Sequence, residues 1–404
     1  MKYIHRTLEP VILRAARHFP VVMLTGPRQS GKTTLLKYLL AKSHRYVSLE
    51  PPDIQSAAGS DPRGFLELNP PPAIFDEIQY APGLLPYIKE RVDANRDRPG
   101  QYILTGSQNL LLAQGVTESL AGRAAILRLF PLAYREISNK PQAPFPWEGR
   151  ARTAARGPVY KPLWESFLRG GYPELVANPE MDRNLWHASY VQTYLERDVR
   201  SLRQVGDLSQ FQSFLRALAA RSAQLFNLSE TARDLGVAVN TIKAWLSVLE
   251  ATYQVIILRP YFANLGKRIV KTPKVYFSDV GILCYLVGLR DPEHAMAGPM
   301  GGILMETAVV NEVFRTLNHQ GKESQVYFWR TSAGVEVDLI VDTGATLIPI
   351  EVKQSTTPTR RMARSVEVFR KDFAKKAQRG YVVHPGDTRL PLSPDVWAWP
   401  FAEF

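Results

Sequence analysis

Eight consecutive residues, Gly26-Pro27-Arg28-Gln29-Ser30-Gly31-Lys32-Thr33, satisfy the pattern GxxxxGK[ST] at every position. The glycines let the backbone curl so that N–H groups point inward at phosphate oxygens, at a helix amino terminus. Lys32 is placed to reach the β- and γ-phosphates, and Thr33 to give its hydroxyl to Mg2+. An apolar run, VVMLTG, precedes the loop and a helical stretch beginning with Thr33 and Thr34 follows it. A purely structural turn is the competing reading, and it requires neither the complete pattern nor both flanks. ATP and Mg2+ are therefore the expected ligands. Gly26, Pro27, Arg28, Gln29, Ser30, Gly31, Lys32, Thr33 and Thr34 form the expected phosphate cradle.

The run Ala73-Ile74-Phe75-Asp76-Glu77 is an apolar strand ending in two acids. Asp76 is expected beside the Mg2+, and Glu77 near the attacking water, which it would polarise as the catalytic base. Two acids at a strand end also occur as a solvated edge. Gln101 to Thr105 reads as another strand, followed by Ser107, which can sense the γ-phosphate or serve as an ordinary helix cap. Arg123, in LAGR, can act as an arginine finger in cis or across a subunit interface, or sit as a surface arginine.

A second group of charged residues lies between Glu336 and Lys353. Gly344-Ala345 suits a two-residue type II′ turn, which pairs Thr343 with Thr346. Counting outward, Asp338 falls opposite Glu351, and Glu336 opposite Lys353. Alternation then places these four on one face, with Val337, Leu339, Val341, Ile348, Ile350 and Val352 on the apolar other. Facing acids repel unless a cation lies between them, and a divalent ion does this with oxygen ligands from both carboxylates. Asp338, Glu351 and Glu306, on the preceding helix, are the candidate metal ligands. Lys353 would stabilise developing negative charge or orient a water. A solvated charged face fits the pattern equally. Downstream, Arg360, Arg361, Arg364, Lys371, Lys375 and Lys376 can track a phosphate backbone, or be a solvated basic face.

Between the two groups, Leu228 to Leu246 reads as a helix-turn-helix, with Ser229 as first N-cap, Gly236 in the turn and Asn240 or Thr241 opening the second helix. VIILRPYF and KVYF follow as a wing would, and Thr241, Lys243 and Lys267 are candidate DNA contacts. Winged-helix units also serve as spacers or protein contacts.

These residues must be positioned by larger elements. VVMLTG, YVSLE, AIFDE, QYILTG and AILRLF alternate with helical stretches, which predicts a parallel sheet buried on both faces. The expected division is an α/β nucleotide-binding domain at 1–137, a Pro/Gly/Arg-rich linker at 138–162, a helical and winged-helix segment at 163–280, and an α/β domain at 281–404. The chain has 404 residues, 45% of them hydrophobic, and a formal net charge of +12, which favours polyanionic partners. The single cysteine, Cys284, lies in an apolar run and rules out a disulfide framework or a Cys-based zinc site. No signal-like segment and no apolar stretch of membrane-spanning length is present, so a cytoplasmic protein without membrane contact is expected.

With these motifs assembled, the chain resembles the AAA-type P-loop ATPases that carry a carboxy-terminal domain of unknown function with a restriction-endonuclease-like fold. The resemblance covers nearly the full length and rests on GPRQSGKTT, IFDEIQ, ILTGSQ, LAGR, RGGYPE, YLERDV, PKVYFSDVG and the EVD…IEVK hairpin. It implies the nucleotide roles of Lys32, Thr33, Asp76 and Glu77. It also implies that Asp338, Glu351 and Lys353 fill the PD-(D/E)xK nuclease pattern with Glu306 as helical acid, although Val337 stands where that pattern has Pro. The expected function is an ATP-driven DNA-processing enzyme, on branched or single-stranded DNA, with cutting and gripping both open at the hairpin site. The alternative is a nucleotide-switched regulatory or defence protein whose nuclease-like domain is an inert scaffold. A nucleotidyl- or phosphotransferase is a third class that nothing in the sequence demands. A homo-oligomer is compatible by fold analogy.

Overall fold

The computed structural model describes residues 3–106, 119–149, 160–195, 208–262 and 272–404. Five strands form the first sheet: β1 (Val21–Thr25), β2 (Arg45–Ser48), β3 (Ala73–Asp76), β4 (Tyr102–Gly106) and β5 (Ala124–Arg128). All neighbours are parallel, in the order β2-β3-β4-β1-β5. Residues in the central strands alternate between two apolar clusters. Val21, Met23, Phe75 and Leu104 pack in one, and Val22, Leu24, Ile74 and Ile103 in the other. Both faces are thus covered by helices, as unbroken apolar strands require. The loop after β1 leads into the helix Lys32–Leu40, at the carboxyl edge of the sheet where open α/β folds bind ligands.

The second sheet has eight strands: β6 (Val255–Pro260), β7 (Lys274–Phe277), β8 (Val326–Arg330), β9 (Glu336–Asp342), β10 (Leu347–Val352), β11 (Gly380–His384), β12 (Leu390–Ser393) and β13 (Val396–Pro400). Their order is β12-β13-β11-β10-β9-β8-β6-β7. The long helix Gly301–His319 packs on one face with Leu339, Val341 and Ile350. Phe369, from the helix Arg364–Asp372, packs on the other with Val337, Ile340 and Leu347.

The expected boundary at 280/281 falls inside this architecture. β6 and β7 lie before it, yet β6 pairs in parallel with β8 beyond it, and one apolar core runs from Phe145 through the middle helices to Phe404. The helix-turn-helix forms as Leu228–Leu235 and Val239–Ala251, with Gly236 at φ +66°. Its first N-cap is Asn227, whose side chain accepts from the Ser229 and Glu230 amides; the second is Ala238. β6 and β7 do pair as an antiparallel wing would, but built into the larger sheet they are not a free wing. Lys243 is exposed and Thr241 half-buried, while Lys267 lies outside the described residues.

The expected linker is tied down over its described part. Phe145 is buried, stacks on Trp147 at 4.4 Å and meets Phe404 at 6.1 Å. The Arg135 guanidinium lies 4.1 Å from the Phe145 ring centre. Arg135 also bonds Glu312 at 2.7 Å and donates to the Phe404 carbonyl at 2.9 Å, so the end of the first domain, the long helix and the chain's last residue share one buried arginine. Glu312→Ala would strand that cation, and we expect a loss of about 3–5 kcal/mol in urea unfolding.

Candidate nucleotide site and carboxylate cluster

The phosphate loop has the backbone its sequence demands. Gly26 has φ +148° and Gly31 φ +92°, in the region that favours glycine, and a Cβ on Gly26 would run into the Leu129 carbonyl. Gly31 caps the helix Lys32–Leu40 without a side-chain bond, so the helix amino terminus, with its positive end, opens onto the loop. Lys32 is 5% exposed, and its Nζ donates to the carbonyls of Gly26 and Pro27, both at 3.0 Å. The buried Ser30 Oγ has no partner among the described residues.

Asp76 ends β3 in full burial. Its Oδ2 accepts from Thr33 Oγ1 at 2.7 Å and from the Tyr46 hydroxyl at 2.6 Å, and its Oδ1 accepts from Thr105. Thr33 and Asp76 are thus in contact and supply the hard oxygen pair that fits Mg2+, which would neutralise phosphate charge there. Glu77 has φ +59°, a left-handed backbone that a non-glycine residue adopts only under constraint. Its amide donates to Thr105 Oγ1 at 3.0 Å, and its carboxylate accepts from Gln79. That constraint aims the side chain into a cavity of about 400 Å3 shared with Lys32, Thr33 and Thr34.

Sequence reasoning missed the rest of the cavity wall. Tyr3 and Arg6 come from the start of the chain, Pro173 and Glu174 from RGGYPE, a motif noted without a role, and Ala177 from the turn of helix just after it. Nothing in their local pattern marks them, because they reach the loop only through the fold. Tyr253 in the middle segment also bonds Thr25 Oγ1 at 2.9 Å, at the end of β1. Arg123 is placed otherwise than an arginine finger in cis requires. It precedes β5 at the edge where Val21 pairs with Ala124, whereas the loop follows the opposite edge, where Thr25 pairs with Arg128. There it forms a two-point pair with Asp93, at 2.5 and 3.0 Å. Ser107 lies outside the described residues.

Arg6 braces the loop from below. Its Nη1 donates to the Ser30 carbonyl at 2.9 Å, its Nη2 to the Phe130 carbonyl at 2.6 Å, and its Nε to Glu136 at 3.2 Å. Glu136 is fully buried and also accepts from the Thr7 and Ala133 amides, and His319, ending the long helix, lies against it at 3.2 Å. Burial works against the Glu136 charge, but Arg6, His319 and the Thr7 amide overcome it and hold the carboxyl well below the usual range. A folded-state value below the unfolded one stabilises the fold above the ordinary glutamate value of about 4.3, and that contribution drains as pH falls below it. Melting temperatures of the parent should fall as pH drops from about 5 to 3, while Glu136→Gln starts lower and changes less over the same window.

The hairpin keeps the expected register. Gly344 has φ +81°, the Thr343 amide donates to Thr346 at 3.0 Å, and Ile350 pairs with Leu339. Beyond that pair the ladder opens, and the Val352 amide donates to Asp338 Oδ2 at 2.7 Å. One part of the expected face pattern is corrected. Val337 packs with Trp329 and Phe369, across the sheet from Leu339, because the β8–β9 pairing slips by one residue between Tyr327 and Trp329. A bulge of this kind re-aims the residues at it.

The carboxylates consequently divide. Glu306, Glu336 and Asp338 gather around the ammonium of Lys274, at 2.9, 2.5 and 4.0 Å. Glu351 pairs with Lys353 and accepts from Ser365 Oγ at 2.7 Å. Burial, followed by the nearby Asp338, raises Glu306 to about 7 and Glu351 to about 8. Among the described residues, no group of three or more His, Cys, Asp or Glu is arranged to hold a metal ion, so the expected set Glu306, Asp338 and Glu351 is not gathered as one. Lys274, unmarked as functional in the sequence, was readable only as a lone charge in the apolar run KVYF.

Comparison with known proteins agrees with the first domain. Residues 18–138 match an AAA domain family, residues 160–293 a domain of unknown function (DUF8612), and residues 301–404 another (DUF4143). An uncharacterised protein of Mycobacterium tuberculosis is 32% identical over 389 residues, covering 96% of this chain and 81% of its own length. An uncharacterised protein of Haemophilus influenzae is 22% identical over 299 residues, covering 68% of this chain and 71% of its own. Among solved structures, a Walker-type ATPase of Pyrococcus abyssi aligns over 70% of this chain and 96% of its own, with 16% identity and a TM-score of 0.45. No described helix is long and apolar enough to cross a membrane.

Proposed function

Since the chain belongs to the family of its mycobacterial relative and itself carries a P-loop AAA-type ATPase domain at residues 18–138, we propose that it hydrolyses Mg2+-ATP to remodel DNA held on its C-terminal domain. The observation that carries the ATPase half is the contact between Thr33 and Asp76, beside Lys32 and a Glu77 held in a left-handed conformation. In this reading the loop amides and Lys32 hold the phosphates, and Thr33 and Asp76 hold Mg2+. Glu77 takes the proton of the attacking water. The AAA-type domain binds nucleotide in the manner of P-loop ATPases, and the DNA half is our extension of it.

Support for DNA comes from the surface of the C-terminal domain. Arg360, Arg361, Arg364, Lys371, Lys375 and Lys376 are all exposed, on and around the helix Arg364–Asp372, and the chain carries a net charge of +12. Cations so placed bind phosphate with release of counterions, which makes affinity salt-dependent. ATP turnover measured with single-stranded, duplex, forked and four-way DNA, and with RNA as control, tests the proposal. We expect stimulation by at least one DNA form. Reversing Arg360, Arg361 and Arg364 to Glu should weaken DNA binding and lower the slope of log affinity against log salt by about 1 for each phosphate no longer neutralised. Turnover indifferent to every nucleic acid would defeat the DNA half and leave the ATPase standing.

A second reading has its own support. Pro173, Glu174 and Ala177 line the candidate nucleotide cavity, and Tyr253 bonds the end of β1, so a nucleotide bound there would lie against the middle segment. A nucleotide-switched regulatory protein would use those contacts to reshape a protein-binding face. ATP-dependent protection of the middle segment from proteolysis, without any response to DNA, would favour it.

A further inference from the structure

Metal-dependent cutting needs carboxylate oxygens left free to converge on a divalent ion. In this cluster most of them are already engaged. Glu306 Oε1 accepts from the Tyr276 hydroxyl at 2.7 Å as well as from Lys274, and Glu336 Oε2 pairs with Arg330 at 3.0 Å. Asp338 Oδ2 takes the Val352 amide, and Glu351 is shared between Lys353 and Ser365. Four carboxylates face Lys274, Lys353 and Arg330, so all but one of their charges are matched by the chain's own cations.

We infer that Lys274 is the resident cation of this cluster, standing where a metal-dependent hydrolytic centre would hold its ion, and that the C-terminal site therefore binds no divalent metal and cuts no phosphodiester. The ammonium is fixed in place. Lys274 is 3% exposed, its strand β7 is paired with Leu258 of β6 and bridged to Leu225, and its Nζ lies 5.7 Å from the centre of the Phe328 ring. Displacing it to admit a metal would leave a buried ammonium without its partners, which is strongly unfavourable. A lysine offers a single charge and no coordination site, so it neither polarises a phosphoryl oxygen as a Lewis acid nor generates a bound hydroxide. This departs from the ligand set that the nuclease pattern implied for Glu306, Asp338 and Glu351.

The test uses the full chain without nucleotide, with Mn2+ as the probe followed by electron paramagnetic resonance. Parent and Asp338→Asn should bind Mn2+ identically, and neither should cut DNA in its presence. Lys274→Met, which empties the central position while keeping the apolar stem, should gain Mn2+ binding that the additional change Asp338→Asn removes. Mn2+ held by the parent and lost in Asp338→Asn, or cleavage that depends on Asp338, overturns the inference. A Lys274→Met protein that melts cooperatively yet takes up no additional Mn2+ overturns the placement of Lys274 at the metal position. Should that variant fail to fold, the comparison of parent with Asp338→Asn decides alone. Because nucleotide is absent throughout, the outcome is independent of whether DNA stimulates ATP turnover.

Discussion

Lys32→Ala should abolish nucleotide binding at working concentrations and lower ATP turnover by about 10²–10³-fold, the scale seen when one preorganised charge-stabilising donor is removed. The Lys32 ammonium is almost wholly buried, and it donates to the Gly26 and Pro27 carbonyls. Phosphate oxygens exchange those neutral partners for charged ones, and charge-assisted bonds are roughly twice as strong as neutral ones. An alanine returns nothing for that exchange. Fluorescent-nucleotide titration reads the binding loss, and phosphate release reads the turnover. A Lys32→Ala protein that binds and turns over ATP like the parent would remove the basis of the proposed function.

Glu77→Gln should separate binding from chemistry. The substitution keeps the side chain's shape and its position on the cavity wall, but an amide takes no proton at neutral pH. Turnover should fall by about 10²–10⁴-fold, the usual worth of a positioned general base, while nucleotide affinity stays close to that of the parent. The left-handed backbone of Glu77, pinned by the bond from its amide to Thr105, costs stability that an ordinary strand end would not spend. Equal loss of affinity and turnover would instead make Glu77 a binding residue. A variant trapped with bound ATP also gives the cleanest sample in which to look for a nucleotide-dependent response of the middle segment.

Both predictions rest on residues that stand out in the amino-acid sequence, and the reason is locality. The phosphate loop encloses its ligand with one contiguous segment, so its chemistry and its backbone needs are written in consecutive residues, from Gly26 to Thr34. The same holds for Asp76 and Glu77 at a strand end, and for the hairpin, whose register follows from a glycine in the turn. Locality also explains what the sequence left unread. The face assignment of Val337 assumed uninterrupted alternation, and a one-residue slip against β8, a strand outside the hairpin, moved it across the sheet. The boundary at 280/281 and the linker at 138–162 were drawn where composition changes, but composition does not register that β6 pairs with β8 or that Phe145 packs on Phe404. Arg123 fitted a finger by motif, in cis or across a subunit interface, and the cis version is set aside by which end of β5 it precedes.

Sequence alone determined the phosphate cradle, its partner acids, the parallel sheet that presents them and the hairpin register, because each depends on hydrogen bonds and periodicities within a short stretch of chain. The tertiary structure decided what surrounds those parts. It brought Tyr3, Arg6 and Pro173 to one cavity, joined Arg6, Glu136 and His319 under the loop, and set Lys274 among the carboxylates of a hairpin more than sixty residues away. Charges buried that far apart in sequence meet only when the core closes around them, and their partners then decide whether an acidic cluster takes up a metal or has no need of one.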